Sequence, residues 1–360
     1  MLDKSGRLTL KCTAIGSLPH KSPEAAAELI KRDFSEIPFW PQMVKINKNE
    51  DMIFQFLDNM PSFFCEDGKI FLDTEYSTFF EDLEGFFNDY EEITADINSP
   101  LLEKYGITQA LAFNDYIKII ETTKPTFAKG QIVGAFTLSA ALCKKDGTPA
   151  VYDETLREII TKNLILKALW QIKKIKEANS GTTPIIFTDE PTLSQLGTSA
   201  YVGIAEEDVH YMFKEISGIL KQHGAIPAIH CCGKCDWTLP LNSGFEMINP
   251  DAFSFAENLS LFSDEIKIFL ATGGKIAWGI VPTLDKNALE KINMKSLVEK
   301  FRTAVNYLTK KGIDEKLIIE NSIITPSCGA GGLTERLAGK AMDLTKELSK
   351  RLKEIYNIDD

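Results

Sequence analysis

One imidazole, two thiols and one carboxylate stand in three short stretches of this chain: His230-Cys231-Cys232-Gly233, Ala256-Glu257-Asn258 and Pro326-Ser327-Cys328-Gly329. Zn²⁺ accepts that donor set in tetrahedral geometry, and its one hard ligand is labile enough to give way to a substrate. His230 and Cys232 are two positions apart, so at the end of a strand their side chains point the same way. Glu257 follows His230 by 27 residues and Cys328 follows Cys232 by 96. Such separations require the fold to assemble the site, and they point to a metal that holds a reacting group. With two thiolates and one carboxylate the centre carries a net charge of minus one, and exchanging Glu257 for a substrate thiolate leaves that charge unchanged. An ion so rich in electrons lowers a thiol's pKa from about 8.5 yet keeps the sulfur nucleophilic. The chemistry is activation of a nucleophile rather than polarisation of an electrophile.

The same residues have plainer readings. Histidine and free cysteine are often simply buried. Cys232 and Cys235 form a C-x-x-C that alone could be a redox pair or half of a structural zinc site. A four-thiolate site needs a second close pair, and Cys12, Cys65, Cys143 and Cys328 supply none. Cys231 should point away from Cys232 at a strand end. Glu257 could cap a helix starting near Ser263, and Asp189-Glu190 could be an acid pair at a helix N-terminus. His20 and His210 read as surface histidines and His223 as the end of a helix.

Several function classes are disfavoured by composition. The 360 residues are 44% hydrophobic and 25% charged, as in ordinary globular proteins. The net charge is −11, only six basic residues are arginine, and no basic stripe is interleaved with aromatics, so nucleic acid is not an expected partner. No apolar run is long enough to span a bilayer, and the start MLDKSGRLTLKC lacks a signal-peptide core. Seven cysteines without framework spacing read as cytosolic thiols, and the expected location is cytoplasmic.

The elements that must position the site alternate along the chain. Strands are predicted over 9–15, 131–138, 184–188, 225–230, 252–256, 275–281 and 317–321. Helices are predicted over 22–34, 153–178, 206–223, 263–272, 295–311 and 334–355. Ser22-Pro23-Glu24 supplies a cap, a first-position proline and an early acid, and Ser180-Gly181, His223-Gly224 and Lys311-Gly312 put glycine where helices stop. Such alternation argues for parallel strands with helical crossovers. With an eighth strand expected within 36–130, the fold class is α/β, a single (β/α)8 TIM barrel over 1–360. Residues 36–100 are rich in Phe, Asp and Glu without a clean period and read as an N-terminal insertion near the barrel mouth. Ser17, Asp189, Glu190, His230, Cys232, Glu257 and Cys328 all then fall just past strand ends, where barrel sites sit.

Five motifs in order resemble the catalytic half of cobalamin-independent methionine synthase, of one barrel superfamily with the methylcobalamin:coenzyme M methyltransferases and uroporphyrinogen decarboxylase. Ala14-Ile15-Gly16-Ser17-Leu18-Pro19 is similar to the family's opening loop, and Asp189-Glu190-Pro191-Thr192-Leu193 to its Asp-Glu-Pro-Ala-Leu. His230-Cys231-Cys232, Phe255-Ala256-Glu257-Asn258 and Ser327-Cys328-Gly329 resemble its three metal motifs. The likeness runs from residue 9 to about 340. It implies zinc held by His230, Cys232, Glu257 and Cys328, with Ile15, Ser17 and Asp189 contacting the amino-acid part of homocysteine or a similar small thiol. Glu190 is then a structural hydrogen-bond partner, and no catalytic residue is assigned beyond the metal site. A second acid for an amino-acid substrate has only loose candidates, Glu66 and Glu75.

Departures from the family bear on the methyl donor. The tryptophan that stacks the pterin should fall near Thr137-Leu138-Ser139, and the acid histidine near Ile280-Val281-Pro282-Thr283; neither is present. No N-terminal folate-binding half is expected, since nothing of that size precedes residue 9 in this sequence. A folate amine leaves poorly without protonation, whereas cob(I)alamin leaves unaided. The expected donor is therefore methylcobalamin, carried on a separate corrinoid protein. The alternative is a metal-free decarboxylase of the uroporphyrinogen type, which needs arginines near the first loop; none lies between Arg7 and Arg32. A non-catalytic zinc-binding or corrinoid-docking module is the third reading. The same barrel serves all three.

Overall fold

Six strands line up in chain order as one parallel sheet in the computed structural model, which describes residues 8–66 and 69–358. The start of the chain, with Arg7, lies outside the described residues. A small antiparallel hairpin comes first, β1 (Phe63–Glu66) and β2 (Lys69–Leu72). The sheet follows: β3 (Phe127–Val133), β4 (Thr183–Asp189), β5 (Ile226–Cys231), β6 (Met247–Pro250), β7 (Lys275–Val281) and β8 (Ser322–Pro326). Every residue of β3 and of β7 is buried, as strands covered on both faces require.

The sheet curls, and two extended segments bridge its edges. Leu10 and Thr13 donate backbone hydrogen bonds to Ser322 and Ile324 on β8, and Cys12 forms an isolated parallel bridge with Ile324. On the far edge Phe39 bridges Lys129 of β3. Ser17 bridges Gln42 between the two segments. These isolated bridges are not strands, so the expected complete eight-strand barrel is corrected to a curled six-strand parallel sheet with helices around it.

The α-helices of the described residues are α1 (Pro23–Asp33), α2 (Phe79–Ala95), α3 (Phe113–Thr123), α4 (Ala135–Ala141), α5 (Glu154–Ala178), α6 (Glu206–Gln222), α7 (Thr238–Asn242), α8 (Ala252–Leu259), α9 (Ser263–Ala271), α10 (Lys286–Lys291), α11 (Met294–Thr309), α12 (Glu315–Glu320) and α13 (Glu335–Tyr356). Two predicted strands are helices. Residues 252–256 belong to α8, capped by Asp251 accepting from Ser254 N–H, and 317–321 fall largely in α12, capped by Asp314. Short apolar runs do not distinguish a strand from a buried helical turn, and the caps decide it. The predicted strand 131–138 is likewise split, β3 ending at Val133 and α4 starting at Ala135. Within the expected insertion, Tyr90 of α2 donates to Glu215 of α6 at 2.9 Å, and Leu72 N–H bonds Cys143 O at 2.9 Å. No helix among the described residues is long and apolar enough to cross a membrane.

Side-chain alternation separates two cores. Phe127, Ile185, Phe187, Ala228, Met247 and Ala277 form a small apolar cluster on one face of the sheet, while Ile132, Ile186, Ile229, Ile248 and Trp278 pack with the helices. Parallel register pairs Phe187 with Ala228 and Asp189 with His230. The inner face therefore turns from apolar to polar toward the C-terminal strand ends.

Candidate metal centre

Register puts Asp189, His230 and Asn249 in one row across β4, β5 and β6. His230 is 3% exposed, and its Nδ1 lies 2.7 Å from Asn249 Oδ1 and 3.1 Å from Asn249 O. Asn249 Nδ2 donates to the Ala277 carbonyl and, at 2.9 Å, to Thr325 Oγ1. A carbonyl only accepts, so the Asn249 amide has one orientation and its Oδ1 faces His230. Nδ1 therefore carries a proton, and Nε2 is the nitrogen left for a ligand. Nε2 is buried and finds no oxygen or nitrogen partner.

Cys232 and Cys328 complete the group. Their sulfurs and a ring nitrogen of His230 lie within 4.8 Å of one another. Zinc–sulfur bonds of about 2.3 Å place tetrahedral ligands roughly 3.8 Å apart, so a small contraction suffices. One nitrogen and two sulfurs suit a soft divalent ion. Hydrogen bonding from Cys328 and, after the opposing effect of burial, from His230 lowers Cys232 to about 4, so this sulfur is a thiolate. Cys328, which bonds that thiolate and is buried, is raised and keeps its proton. Burial opposes a charged His230, but the Cys232 sulfur and then Asp189 outweigh it and raise His230 to about 9. Metal binding here would therefore release protons from Nε2 and from Cys328.

Close contacts fix the Cys328 loop. Thr283 Oγ1 donates to Cys328 O at 2.9 Å and accepts from Cys328 N–H at 3.0 Å. A Cβ on Gly279 would lie 2.7 Å from Pro250 O and 2.9 Å from Ser327 Cα, so only glycine lets these strand ends approach. Ser17 packs on the same loop: its Oγ accepts from Gly331 N–H at 3.2 Å, and its carbonyl from Ala330 N–H at 2.9 Å.

The other expected residues are distributed as follows. Ile15 is 5% exposed and joins the inner apolar cluster. Asp189 is 9% exposed with Oδ1 unpartnered; burial raises its pKa, against Lys129 and His230. Glu190 supports the backbone, accepting from Phe136 N–H at 3.0 Å, Thr137 N–H at 2.9 Å and Thr137 Oγ1 at 2.6 Å. Burial pushes it up to about 7 despite these bonds. Glu257 is not brought to the group: it lies within α8 and is exposed. The strand expected before it is a helix, and the residue just past the end of β6 is Asp251, 2% exposed. Cys231 is fully buried and shares a hydrogen bond with Cys235. His20 is 8% exposed, not a surface histidine, while His210 is half-buried against Ser243 Oγ at 2.9 Å. Glu66 and Glu75 are exposed, on and just after the hairpin.

No model of a known protein family matches this chain, and no curated protein matches it.

Two residues beyond the expected set shape the centre. Asn249 sets the tautomer of His230. Lys129 is fully buried on β3, donates to Ile15 O and to Gln131 Oε1 at 2.8 Å, and sits 4.6 Å over the Phe187 ring. Burial lowers it to about 7. Lys129 lies just ahead of the expected strand 131–138, and nothing in the sequence marks it as buried; lysine is almost never fully buried without partners.

Gly134 marks how tightly Glu190 is held. A Cβ there would fall 1.9 Å from Glu190 Cδ. Gly134→Ala is expected to cost about 1–3 kcal/mol of stability through overpacking, read from the midpoint of urea unfolding. An unchanged midpoint would mean that Glu190 does not brace α4.

Proposed function

We propose that this protein is a zinc-dependent S-methyltransferase acting on a small thiol, of the barrel family typified by cobalamin-independent methionine synthase. In this reading the segments around Cys12 and Phe39 complete the round of the barrel. The observation that carries the reading is the convergence of His230, Cys232 and Cys328 on one point, with a buried Nε2 freed by Asn249.

Zinc held there would supply a thiol acceptor with a lowered pKa and a sulfur that stays nucleophilic. The chain's own residues do the rest. Asn249 accepts the Nδ1 proton of His230, so Nε2 is the nitrogen that would give up its proton to a metal, and Thr283 keeps Cys328 in place. Asp189, with an oxygen unpartnered, is positioned beside His230 to accept from an amino group on the thiol substrate. Lys129 ties the carbonyl of Ile15 to the inner face, and so holds the loop that leads to Ser17.

The donor we propose is a methylcorrinoid. The place where the family resemblance calls for an acid histidine holds Thr283, whose hydroxyl is committed to Cys328. The place where it calls for a pterin-stacking tryptophan holds Thr137-Leu138-Ser139, buried in α4.

X-ray absorption of the zinc-loaded protein tests the thiol step. Two sulfurs are expected around zinc before a thiol is added and three after, with one oxygen or nitrogen lost. A shell unchanged at saturating thiol would make the site a closed, structural one.

A further inference from the structure

A cleft of about 520 Å³ opens between the β1–β2 hairpin and α2, and no residue of the metal centre lines it. Two aromatic pairs form its walls. Phe64 of the hairpin meets Tyr76 edge to face at 5.1 Å, and Phe86 of α2 meets Tyr105 at 6.0 Å. Glu81 and Asp82, in the first turn of α2, are exposed at the rim. Among the described residues neither acid has an ion-pair partner, and the lysine that lines the cleft, Lys104, is committed to Asp89 at 2.8 Å. Two features of the cleft itself point to a ligand. Ser62 lines it, is 2% exposed, and its Oγ finds no partner. An unpaired buried hydroxyl costs free energy, and a polar atom on a bound molecule would supply the missing bond. Gly85 also lines the cleft, in the interior of α2, where glycine disfavours the helix. A Cβ there would meet nothing within 4 Å, so packing within the protein does not require glycine. Its missing side chain leaves the α2 side of the cleft open.

We propose that this cleft binds a small organic cation with a flat apolar body, in its simplest form an arylalkylamine. The aromatic walls take the body, since stacked and edge-to-face contacts suit a flat ring. The ammonium lies at the rim, where Glu81 and Asp82 offset its charge and the faces of Phe64 and Tyr76 attract it. A ring N–H or hydroxyl on the body bonds Ser62 Oγ. An anion of the same shape meets two carboxylates and is repelled.

Calorimetric titration of the full chain with tryptamine tests this, because tryptamine carries an indole ring, a ring N–H and an ammonium. One molecule is expected to bind per chain with a Kd of about 1 mM or tighter, as suits so small a ligand. Indole-3-acetate, the same ring with a carboxylate, is expected to bind about tenfold more weakly or worse. Gly85→Leu fills the open space while favouring the helix, and should weaken tryptamine binding about tenfold or more. Ser62→Ala should weaken it about two- to tenfold through the lost hydrogen bond. Glu81→Lys, at an exposed position, should also weaken it about tenfold and serves if the leucine variant folds poorly. Failure of tryptamine to saturate the wild-type chain by about 10 mM overturns the proposal. Undiminished binding in folded Gly85→Leu or in Glu81→Lys overturns it too, by placing tryptamine elsewhere on the chain. Indole-3-acetate binding as tightly as tryptamine overturns it by removing the selection for a cation.

Discussion

The proposed centre is expected to hold about one zinc per chain, and Cys232→Ser and Cys328→Ser are each expected to lose most of it. Each variant replaces a thiolate donor by a hydroxyl that stays protonated at neutral pH. At Cys328 the loss comes with no change in the loop, since Thr283 grips its backbone rather than its sulfur. Cys235→Ser is the control, because the Cys235 thiol bonds Cys231 on the other side of the strand. Metal analysis after dialysis reads all three. Full retention in both Cys232→Ser and Cys328→Ser would place the metal elsewhere, and Cys235 would be the first residue to revisit.

Much of this centre is legible in the sequence because its donors are rare residue types. His230, Cys232 and Cys328 stand out by chemistry, and β5, which carries His230 and ends one residue before Cys232, is a continuous buried run that the pattern locates closely. The same holds for β4 and β7. β6 is different. Its four residues, Met247–Pro250, include an asparagine and a proline and do not read as a strand, whereas the neighbouring Ala252–Ala256 run does. Burial of a short apolar run is common to both structures, and the deciding signal is the cap that Asp251 gives α8. That one misplacement moves the expected strand end from Asp251 to Glu257. Asn249 and Lys129 escape for another reason: each is a single polar residue in a strand, and its meaning comes from partners on other strands. Thr325 and the Ala277 carbonyl orient Asn249, and Ile15 O and Gln131 hold Lys129.

Closure of the barrel is the other feature the pattern overstates. Residues 9–15 carry a strand-like alternation, yet the segment meets β8 through one isolated bridge and the Leu10 N–H bond to Ser322 rather than as a strand. Its chain leaves toward Gly16, whose φ of 149° takes it across to Gln42. A Cβ on Gly16 would lie 3.0 Å from Gln42 Oε1 and 3.1 Å from Gln131, so the turn is packed against the polar residues that brace the first loop.

Methyl transfer to a thiol, measured with two donors side by side, tests the central claim most directly. Protonation of an amine leaving group by a positioned acid is worth typically a hundred- to ten-thousand-fold in rate. In the proposed reading Thr283 takes the place of that acid, and its hydroxyl hydrogen is spent on the Cys328 carbonyl. A corrinoid leaves without a proton, so its reaction does not feel the loss. The zinc-loaded protein is expected to methylate a small thiol such as homocysteine from methylcobalamin, or better from a methylated corrinoid protein. The zinc-free Cys232→Ser variant should be inactive, and methyltetrahydrofolate should give no detectable product under the same conditions. Efficient turnover with methyltetrahydrofolate alone, or equal thiol methylation with and without zinc, would contradict the account.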